Sequence, residues 1–236
     1  MMGILLEGGA EFGGSMSEPD LRAIELAGGP DAPIVILPTA AAPDNNQKRA
    51  GNNGVRWFRS LGASNIDVVP VIDGPTANDP ALAARIRSAR LLFMLGGFPR
   101  YLGETLKNSL TWQSALEAHE RGAVIGGSSA GAMVLCDHYY DPDENKLLEG
   151  LKLLPNCCIL PHHNGFGKKW VIRLLAQLPE FTLIGIDERT GILNDLSMTW
   201  KVYGAGEVTL YRGGQTEVYK SGETFDLDND PSSSQG

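Results

Sequence analysis

A serine in a glycine-rich turn is the residue of this sequence best placed for chemistry. Residues 127–131 read Gly-Ser-Ser-Ala-Gly, which fits the G-x-S-x-G pattern with Ser129 at its centre. An apolar run at 123–126 precedes the turn, and a helix-compatible run follows it. In such an elbow, small residues let strand and helix approach closely, and the first N–H groups of the helix face the serine. The pattern predicts a nucleophile; the alternative is a tight turn that merely contains serine.

The serine hydroxyl is a weak nucleophile that needs a neighbouring base, and the chain has four histidines to supply one. His162 and His163 follow an apolar run at 157–160, whose end would share a sheet edge with Ser129. Because neighbouring residues of an extended segment point to opposite sides, only one of them can face the serine. A metal-binding or surface pair is the alternative, but no Cys or carboxylate cluster with metal-ligand spacing accompanies the two histidines.

The other two histidines are less favourably placed. His119 lies late in a predicted helix, where we expect a solvated or capping residue. His138 lies in an acidic segment just after the elbow.

A histidine base also needs a carboxylate to hold its tautomer. The apolar run 184–186 ends in Asp187 and Glu188, which would place two carboxylates at a strand end. An ordinary acidic turn is the alternative, and the acids within 137–144 compete for the role. Gly96 and Gly97 follow another apolar run. They could form a turn that lets a helix pack closely, or they could place the Gly97 N–H beside the Ala130 N–H so that both donate to an oxyanion.

Strands and helices alternate along the chain to position these residues. Apolar runs predict strands at 2–6, 32–38, 66–72, 91–95 and 123–126. The segments between them predict helices at 17–27, 46–61, 80–89 and 99–121. This order is typical of a mostly parallel sheet with helices on both faces, which binds ligands beyond the carboxyl ends of its strands.

The second part of the chain follows a different pattern. Residues 137–149 are polar and acidic and predict a surface loop. Strands at 157–160 and 182–186 flank a predicted helix at 168–178, and short strands with glycine turns after residue 190 predict antiparallel hairpins. We predict one α/β domain over residues 1–225 and a disordered acidic tail at 226–236.

Composition narrows the function classes. The 236 residues are 42% hydrophobic and 20% charged, which permits a sizeable core. The net charge of −8 predicts no nucleic-acid partner and no anionic membrane surface, and no apolar run reaches the roughly 18 residues of a membrane span. The N-terminal run lacks a basic segment and predicts a first strand rather than a signal peptide.

Cofactors and compartment follow from the motifs that are missing. Neither a dinucleotide fingerprint nor a P-loop occurs, so the motifs do not favour a nucleotide cofactor. Three cysteines without C-x-x-C spacing predict neither a disulfide framework nor a zinc site, which favours a cytoplasmic location. A flat apolar edge in the last hairpins could pair between subunits, so a homo-oligomer stays open.

Five segments together resemble peptidase family S51, which contains dipeptidase E and the cyanophycinases. They lie at 37–40, 93–97, 127–132, 153–162 and 185–190. The Ser-Ala-Gly-Ala elbow and the Gly-Ile-Asp-Glu-Arg-Thr segment are the most specific of them. The resemblance implies a three-layer α/β sandwich like that of the class I glutamine amidotransferases. It also implies amide hydrolysis through an acyl-enzyme, without metal or cofactor.

Site residues carry over by position from the same resemblance. It implies a Ser-His-Glu triad with Ser129 as nucleophile, His162 as general base and acid, and Glu188 as the residue that orients the imidazole. His163 stands where the family often has an aromatic residue, and a register shift of one would exchange the two histidines. Gly97 and Ala130 would supply the oxyanion N–H groups.

Departures from the cyanophycinase pattern bear on the substrate. From the glycine pair onward cyanophycinases resemble G-G-x-Q, whereas this chain has Phe98 and Pro99 after its two glycines. Around the histidine they resemble D-Q-H-F, whereas here Pro161 precedes His162. Their arginine-rich stretch after the histidine is also missing. We therefore expect a serine peptidase acting on a small peptide or an aspartyl-type amide. An esterase or other acyl hydrolase, and a catalytically silent binding module of the same fold, are the alternatives.

Three basic residues follow the histidine pair and bear on an acidic substrate. Lys168, Lys169 and Arg173 could attract one, or could form a solvated face.

Overall fold

The computed structural model of the chain describes residues 3–194 and 199–227. Its helices are α1 Ser17–Ala27, α2 Gln47–Ser60, α3 Gly74–Ala77, α4 Pro80–Arg87, α5 Pro99–Leu106, α6 Leu110–Glu120, α7 Ala130–Met133 and α8 Val171–Gln177. Its strands are β1 Ile4–Glu7, β2 Ile34–Leu37, β3 Ile66–Val68, β4 Leu91–Met94, β5 Val124–Ser128, β6 His138–Asp141, β7 Lys146–Glu149, β8 Cys157–Leu160, β9 Thr182–Ile186, β10 Thr190–Asn194, β11 Trp200–Gly204, β12 Glu207–Arg212, β13 Gln215–Lys220 and β14 Thr224–Phe225.

The larger sheet has eight strands in the described ranges, in the order β14-β11-β10-β1-β5-β4-β2-β3. Strand pairs from β1 through β5, β4 and β2 to β3 are parallel. Pairs from β1 through β10 and β11 to β14 are antiparallel. The prediction of a mostly parallel sheet with antiparallel strands from the C-terminal part of the chain is confirmed.

Alternating side chains of the sheet feed two hydrophobic layers. Leu6, Met94 and Ile125 pack with Leu102 of α5 and other apolar residues on one face. Leu5, Phe93 and Val124 belong to the layer on the other face, which includes Phe58 of α2. This period-two division covers both faces of a central sheet with helices and gives the predicted three-layer sandwich.

A second sheet has the order β13-β12-β9-β8 in the part of the chain that the structure describes. Its β8 and β9 run parallel, so their carboxyl ends lie side by side. His162 follows the end of β8 by two residues, and Glu188 follows β9 by two. The second sheet thus brings the predicted base and acid to one edge.

Two local predictions are wrong. Residues 137–149, predicted as a loop, form the hairpin β6–β7, because Tyr139 and Tyr140 are buried between the acidic positions. The helix predicted over 99–121 is divided between α5 and α6. Asn108 takes φ +58° at the break, and the Ser109 hydroxyl caps α6 by accepting the N–H of Trp112 at 3.1 Å.

No helix within the described ranges is both long and apolar enough to cross a membrane. Most of the predicted disordered tail, residues 228–236, lies outside the described residues.

Candidate active site

Ser129 occupies a strained turn between β5 and α7. Its backbone takes φ +50° and ψ −112°, and its N–H donates to the carbonyl of Glu7 at 2.9 Å. A Cβ on Gly127 would overlap the backbone of Gly131, and a Cβ on Gly131 would overlap the carbonyl of Met94. These close approaches explain why the pattern around the serine requires glycine at both flanks.

His162 lies against Ser129 and Glu188. The Nε2 atom is 3.0 Å from Ser129 Oγ, and Nδ1 is 2.8 Å from Glu188 Oε1. The serine hydroxyl can donate to Nε2 while Nδ1–H donates to the carboxylate, which is the arrangement of a nucleophile, a base and an orienting acid. The structure thus brings together the three residues that the sequence pointed to.

The residues that follow β1 contact His162 and fix the position of its imidazole ring. The backbone N–H of His162 donates to the carbonyl of Gly8 at 2.8 Å, while the residue takes φ +48°. A Cβ on Gly9 would overlap the His162 ring, and a Cβ on Gly8 would overlap the carbonyl of Asp187. The His162 ring therefore packs directly against Gly9, and neither position of this glycine pair has room for a side chain.

Two further residues support the triad and were missed by sequence reasoning. Asn164 accepts the backbone N–H of Glu188 through its side-chain oxygen at 3.1 Å. The ring of Phe166 stacks on His162 with centroids 4.7 Å apart and planes at 29°, although 48% of its surface remains exposed. Their position close after the histidine was the sole signal in the sequence.

His163 points away from the serine. Its Nε2 lies 3.1 Å from the hydroxyl of Tyr211, and its Nδ1 lies 3.6 Å from Asp187 Oδ1. Burial lowers the pKa of His163, which favours the neutral ring. The side chain therefore holds the end of β9 and the start of the segment that carries Glu188.

The remaining histidines and the competing acids lie outside the triad. Of the two alternatives for His119, the solvated one is wrong: the side chain is buried, burial lowers its pKa, and its Nδ1 lies 2.8 Å from the carbonyl of Ala123, just after the end of α6. The ring of His138 packs edge-on against Phe181. Asp141 accepts the N–H of Asp143 within the hairpin.

Gly97 lies in the segment after β4, and Ala130 directly follows the serine. Ala130 begins α7, and a Cβ on Gly96 would lie 3.3 Å from the Cβ of Ser129. Gly97 takes φ +142°, and a Cβ there would overlap the carbonyl of Ala40. No described group accepts a hydrogen bond from the N–H of Gly97 or Ala130. Within the described residues, neither N–H is therefore committed to another acceptor.

A group of three carboxyl side chains lies beside the elbow. Glu7 is fully buried, and its pKa is raised well above the ordinary value, chiefly by burial and further by Asp20 and Glu11. Burial also raises the pKa of Asp20 to about 7, although its Oδ2 accepts the indole N–H of Trp57 at 2.7 Å. Glu11 accepts the hydroxyl of Ser128 at 3.1 Å.

Two cavities frame the question of a ligand. The larger, about 720 Å³, lies at the opposite ends of β8 and β9, around Cys157 and Thr182. The smaller, about 240 Å³, is bordered by Gly96 and Gly97 and so adjoins the serine. Across residues 3–194 and 199–227, no three His, Cys, Asp or Glu side chains converge as metal ligands would. Of the two cavities, the smaller one is the candidate for a ligand that reacts at Ser129, because it adjoins that residue.

Sequence and structure comparisons place the chain in a known family. The sequence model of peptidase family S51 matches residues 4–196, so the chain belongs to that family. Its fold is accordingly like that of the class I glutamine amidotransferases, and the family to which it belongs is one of peptidases.

Among curated relatives, the cyanophycinase of Synechococcus elongatus is 29% identical over 197 residues, which cover 79% of this chain and 60% of the relative. The chain thus spans less than two thirds of that relative's length. The cyanophycinase of Geminocystis herdmanii is 28% identical over 221 residues, which cover 89% of this chain and 80% of the relative.

Two solved structures share the fold. A peptidase from an acI-B1 Actinobacterium is 29% identical and superposes with a TM-score of 0.86 over 96% of this chain and 97% of that one. A putative peptidase E protein from Listeria monocytogenes is 17% identical, with a TM-score of 0.60 over 93% of this chain and 98% of that one.

Proposed function

We propose that the chain is a serine peptidase that hydrolyses an amide bond of a small peptide or aspartyl-type substrate through an acyl-enzyme. The observation that carries the proposal is the unbroken contact from Ser129 through His162 to Glu188. Membership of family S51 and the similarity to cyanophycinases support the same reaction class.

The first half of the reaction acylates the serine. Ser129 Oγ attacks the carbonyl carbon of the scissile amide, and its proton passes to Nε2 of His162. Glu188 stabilises the imidazolium that forms. The N–H groups of Gly97 and Ala130 donate to the oxyanion, an effect of about 3–4 kcal/mol for one such donor in well-studied enzymes.

The second half releases both products. His162 gives its proton to the leaving amine, and the C–N bond breaks to leave an ester on Ser129. Water then donates a proton to His162 and attacks the ester carbonyl. The proton returns to Ser129 Oγ as the acid is released, so the enzyme ends as it began.

Basic residues near the site bear on an aspartyl-type substrate. The guanidinium of Arg173 binds the side chain and, at 2.8 Å, the carbonyl of Asn145 in the β6–β7 connection. Lys168 and Lys169 lie exposed in the turn before α8. Of the three cations, the lysines are therefore the ones that we propose for attraction of an acidic group.

Hydrolysis of a dipeptide panel tests the proposal. The panel contains α-Asp-X, β-Asp-Arg and neutral dipeptides with matched esters, and the proteins are wild type, Ser129→Ala and the neighbouring control Ser128→Ala. We expect an amide to be cleaved by wild type and the control and not by Ser129→Ala. Cleavage of esters alone would indicate an esterase rather than a peptidase. No cleavage of any member would favour a catalytically silent binding module.

A further inference from the structure

The cavity of about 240 Å³ beside Gly97 contains features that neither the triad nor the oxyanion donors use. Known ligand pockets mostly occupy about 300–1,000 Å³, so this space suits one residue of a peptide rather than a whole ligand. It is lined by two carboxylates, Glu11 and Asp44, by two aromatic rings, Phe12 and Phe98, and by the amides of Asn46 and Asn53. Carboxylates and aromatic faces are the groups that hold organic cations.

Glu11 is the carboxylate nearest to the chemistry. Its Oε2 accepts the hydroxyl of Ser128, the residue before the nucleophile. A Cβ on Gly96 would lie 3.9 Å from Glu11 Oε1 and 3.3 Å from the Cβ of Ser129. The carboxylate and the nucleophile thus flank the same glycine.

The negative charge at this point has no partner cation within the described residues. None of their Lys, Arg or His side chains forms an ion pair with Glu11 or Asp44, and Arg56 binds the amide oxygen of Asn53 instead. Behind Glu11 lie Glu7 and Asp20, whose burial favours their neutral forms. Of these three carboxyl groups, Glu11 is the one that lines the cavity.

A carboxylate beside the elbow opposes the formation of an oxyanion unless a cation faces it. The oxyanion that forms between Gly97 and Ala130 is repelled by Glu11, because like charges interact strongly where water is partly excluded. A substrate that brings its own positive charge to the cavity removes the repulsion and gains a charge-assisted hydrogen bond. The site then favours cationic substrates both in binding and in the step that builds the oxyanion.

We propose that the cavity beside Gly97 binds an ammonium or guanidinium group of the substrate, with Glu11 as its charged contact and specificity-determining residue. This inference rests on the proposed function, because it takes the substrate to react at Ser129. The cation can come from a free amino terminus or from a basic side chain, which share this chemistry.

Paired dipeptides that differ in charge alone test the inference. Arg-Ala is compared with citrullinyl-Ala, and Ala-Arg with Ala-citrulline, each with a free and an acetylated amino terminus. We measure kcat/KM for wild type, Glu11→Gln and the charge-matched control Glu120→Gln on the exposed end of α6. Calorimetric binding of the same peptides to Ser129→Ala, with and without Glu11→Gln, gives a readout that needs no turnover.

The expected result is a preference of about 10-fold to 100-fold for a cationic peptide, lost in Glu11→Gln and kept in Glu120→Gln. If acetylation removes the preference, the cation is the amino terminus; if citrulline removes it, the cation is the side chain. Ser129-dependent hydrolysis with no charge preference overturns the inference and leaves the proposed function intact. If no peptide is hydrolysed, the proposed function fails, but Glu11-dependent binding of cationic peptides still supports the cavity assignment. If no peptide is hydrolysed and binding does not depend on peptide charge, both the proposed function and the cavity assignment are overturned.

Discussion

Gly9 lies so close to His162 that a Cβ at position 9 would overlap the imidazole ring. The two residues come from different sheets: Gly9 follows β1 of the larger sheet, and His162 follows β8 of the smaller one. This contact sets the height of the imidazole above the larger sheet, whose β5 carries the serine. The geometry of the candidate triad therefore depends on a residue without a side chain.

Gly9→Ala is expected to lower kcat/KM by about 100-fold, because a displacement of about 1 Å in the reacting groups can have that effect. The variant should also lose roughly 1–3 kcal/mol of stability, since position 9 takes φ +114°. Gly13→Ala is the matched control: position 13 has φ −165° and nothing within 4 Å of an added Cβ. Equal activities in the two variants would contradict the role given to Gly9.

Glu188→Gln is expected to reduce kcat by about 10²-fold to 10⁴-fold while the fold is kept. The amide has the shape of the carboxylate but cannot stabilise an imidazolium by charge or enforce the same tautomer. Steady-state hydrolysis and circular dichroism measure the two effects, with the exposed Glu180→Gln as control. A loss no greater than that of the control would assign the orienting acid elsewhere.

Substitution of His163 should mainly affect stability, whereas substitution of His162 should mainly affect activity. His163→Gln is expected to lower the free energy of unfolding by roughly 1–3 kcal/mol, because Tyr211 and Asp187 lose a buried partner, with a small change in rate. His162→Gln should abolish hydrolysis with a smaller change in stability. Chemical denaturation and hydrolysis rates on both variants are the measurements, and the opposite pattern would exchange the two assignments.

Asp20 should make stability depend on pH. Its pKa is raised to about 7 in the folded chain and lies near 4 in an unfolded one, so the folded state holds a proton that the unfolded state releases between these values. Stability should therefore fall as pH rises from 4 to 7 and level off above.

Asp20→Asn keeps an acceptor for the Trp57 indole and removes this titration. Relative to wild type, the variant should gain roughly 2–4 kcal/mol between pH 5 and pH 8. Urea unfolding at both pH values measures the gain, with the exposed Asp31→Asn as control. Parallel stability curves for wild type and Asp20→Asn would show that the buried carboxyl does not titrate in this range.

The order of strands and helices in the first half could be predicted because each apolar run is short and bounded by glycine or proline. The alternation of Leu5 and Leu6 between the two layers follows from the same pattern. The hairpin at β6–β7 could not be predicted, because its acids conceal two buried tyrosines. Nor does the local sequence show that β8 and β9 leave the larger sheet, since pairing between distant strands is decided by packing.

The members of the candidate triad could be predicted in type and approximate place from strand ends. The selection of His162 over His163 followed from the family resemblance, and the structure places His162 beside Ser129. The support from Gly9, Asn164 and Phe166 could not be predicted, because each acts through a contact between segments remote in sequence or through a ring orientation. The burial of His119 could not be predicted either, because the local sequence around a histidine at a helix end is the same whether its side chain faces solvent or the core.

Covalent labelling by diisopropyl fluorophosphate tests the central claim, that Ser129 is an activated nucleophile, most directly. Intact-mass and peptide mass spectrometry would be run on wild type, Ser129→Ala and Ser128→Ala, whose altered side chain faces Glu11 rather than His162. We expect one adduct, located on Ser129, in wild type and Ser128→Ala, and none in Ser129→Ala. An unlabelled wild type, or an adduct that persists in Ser129→Ala, would contradict it.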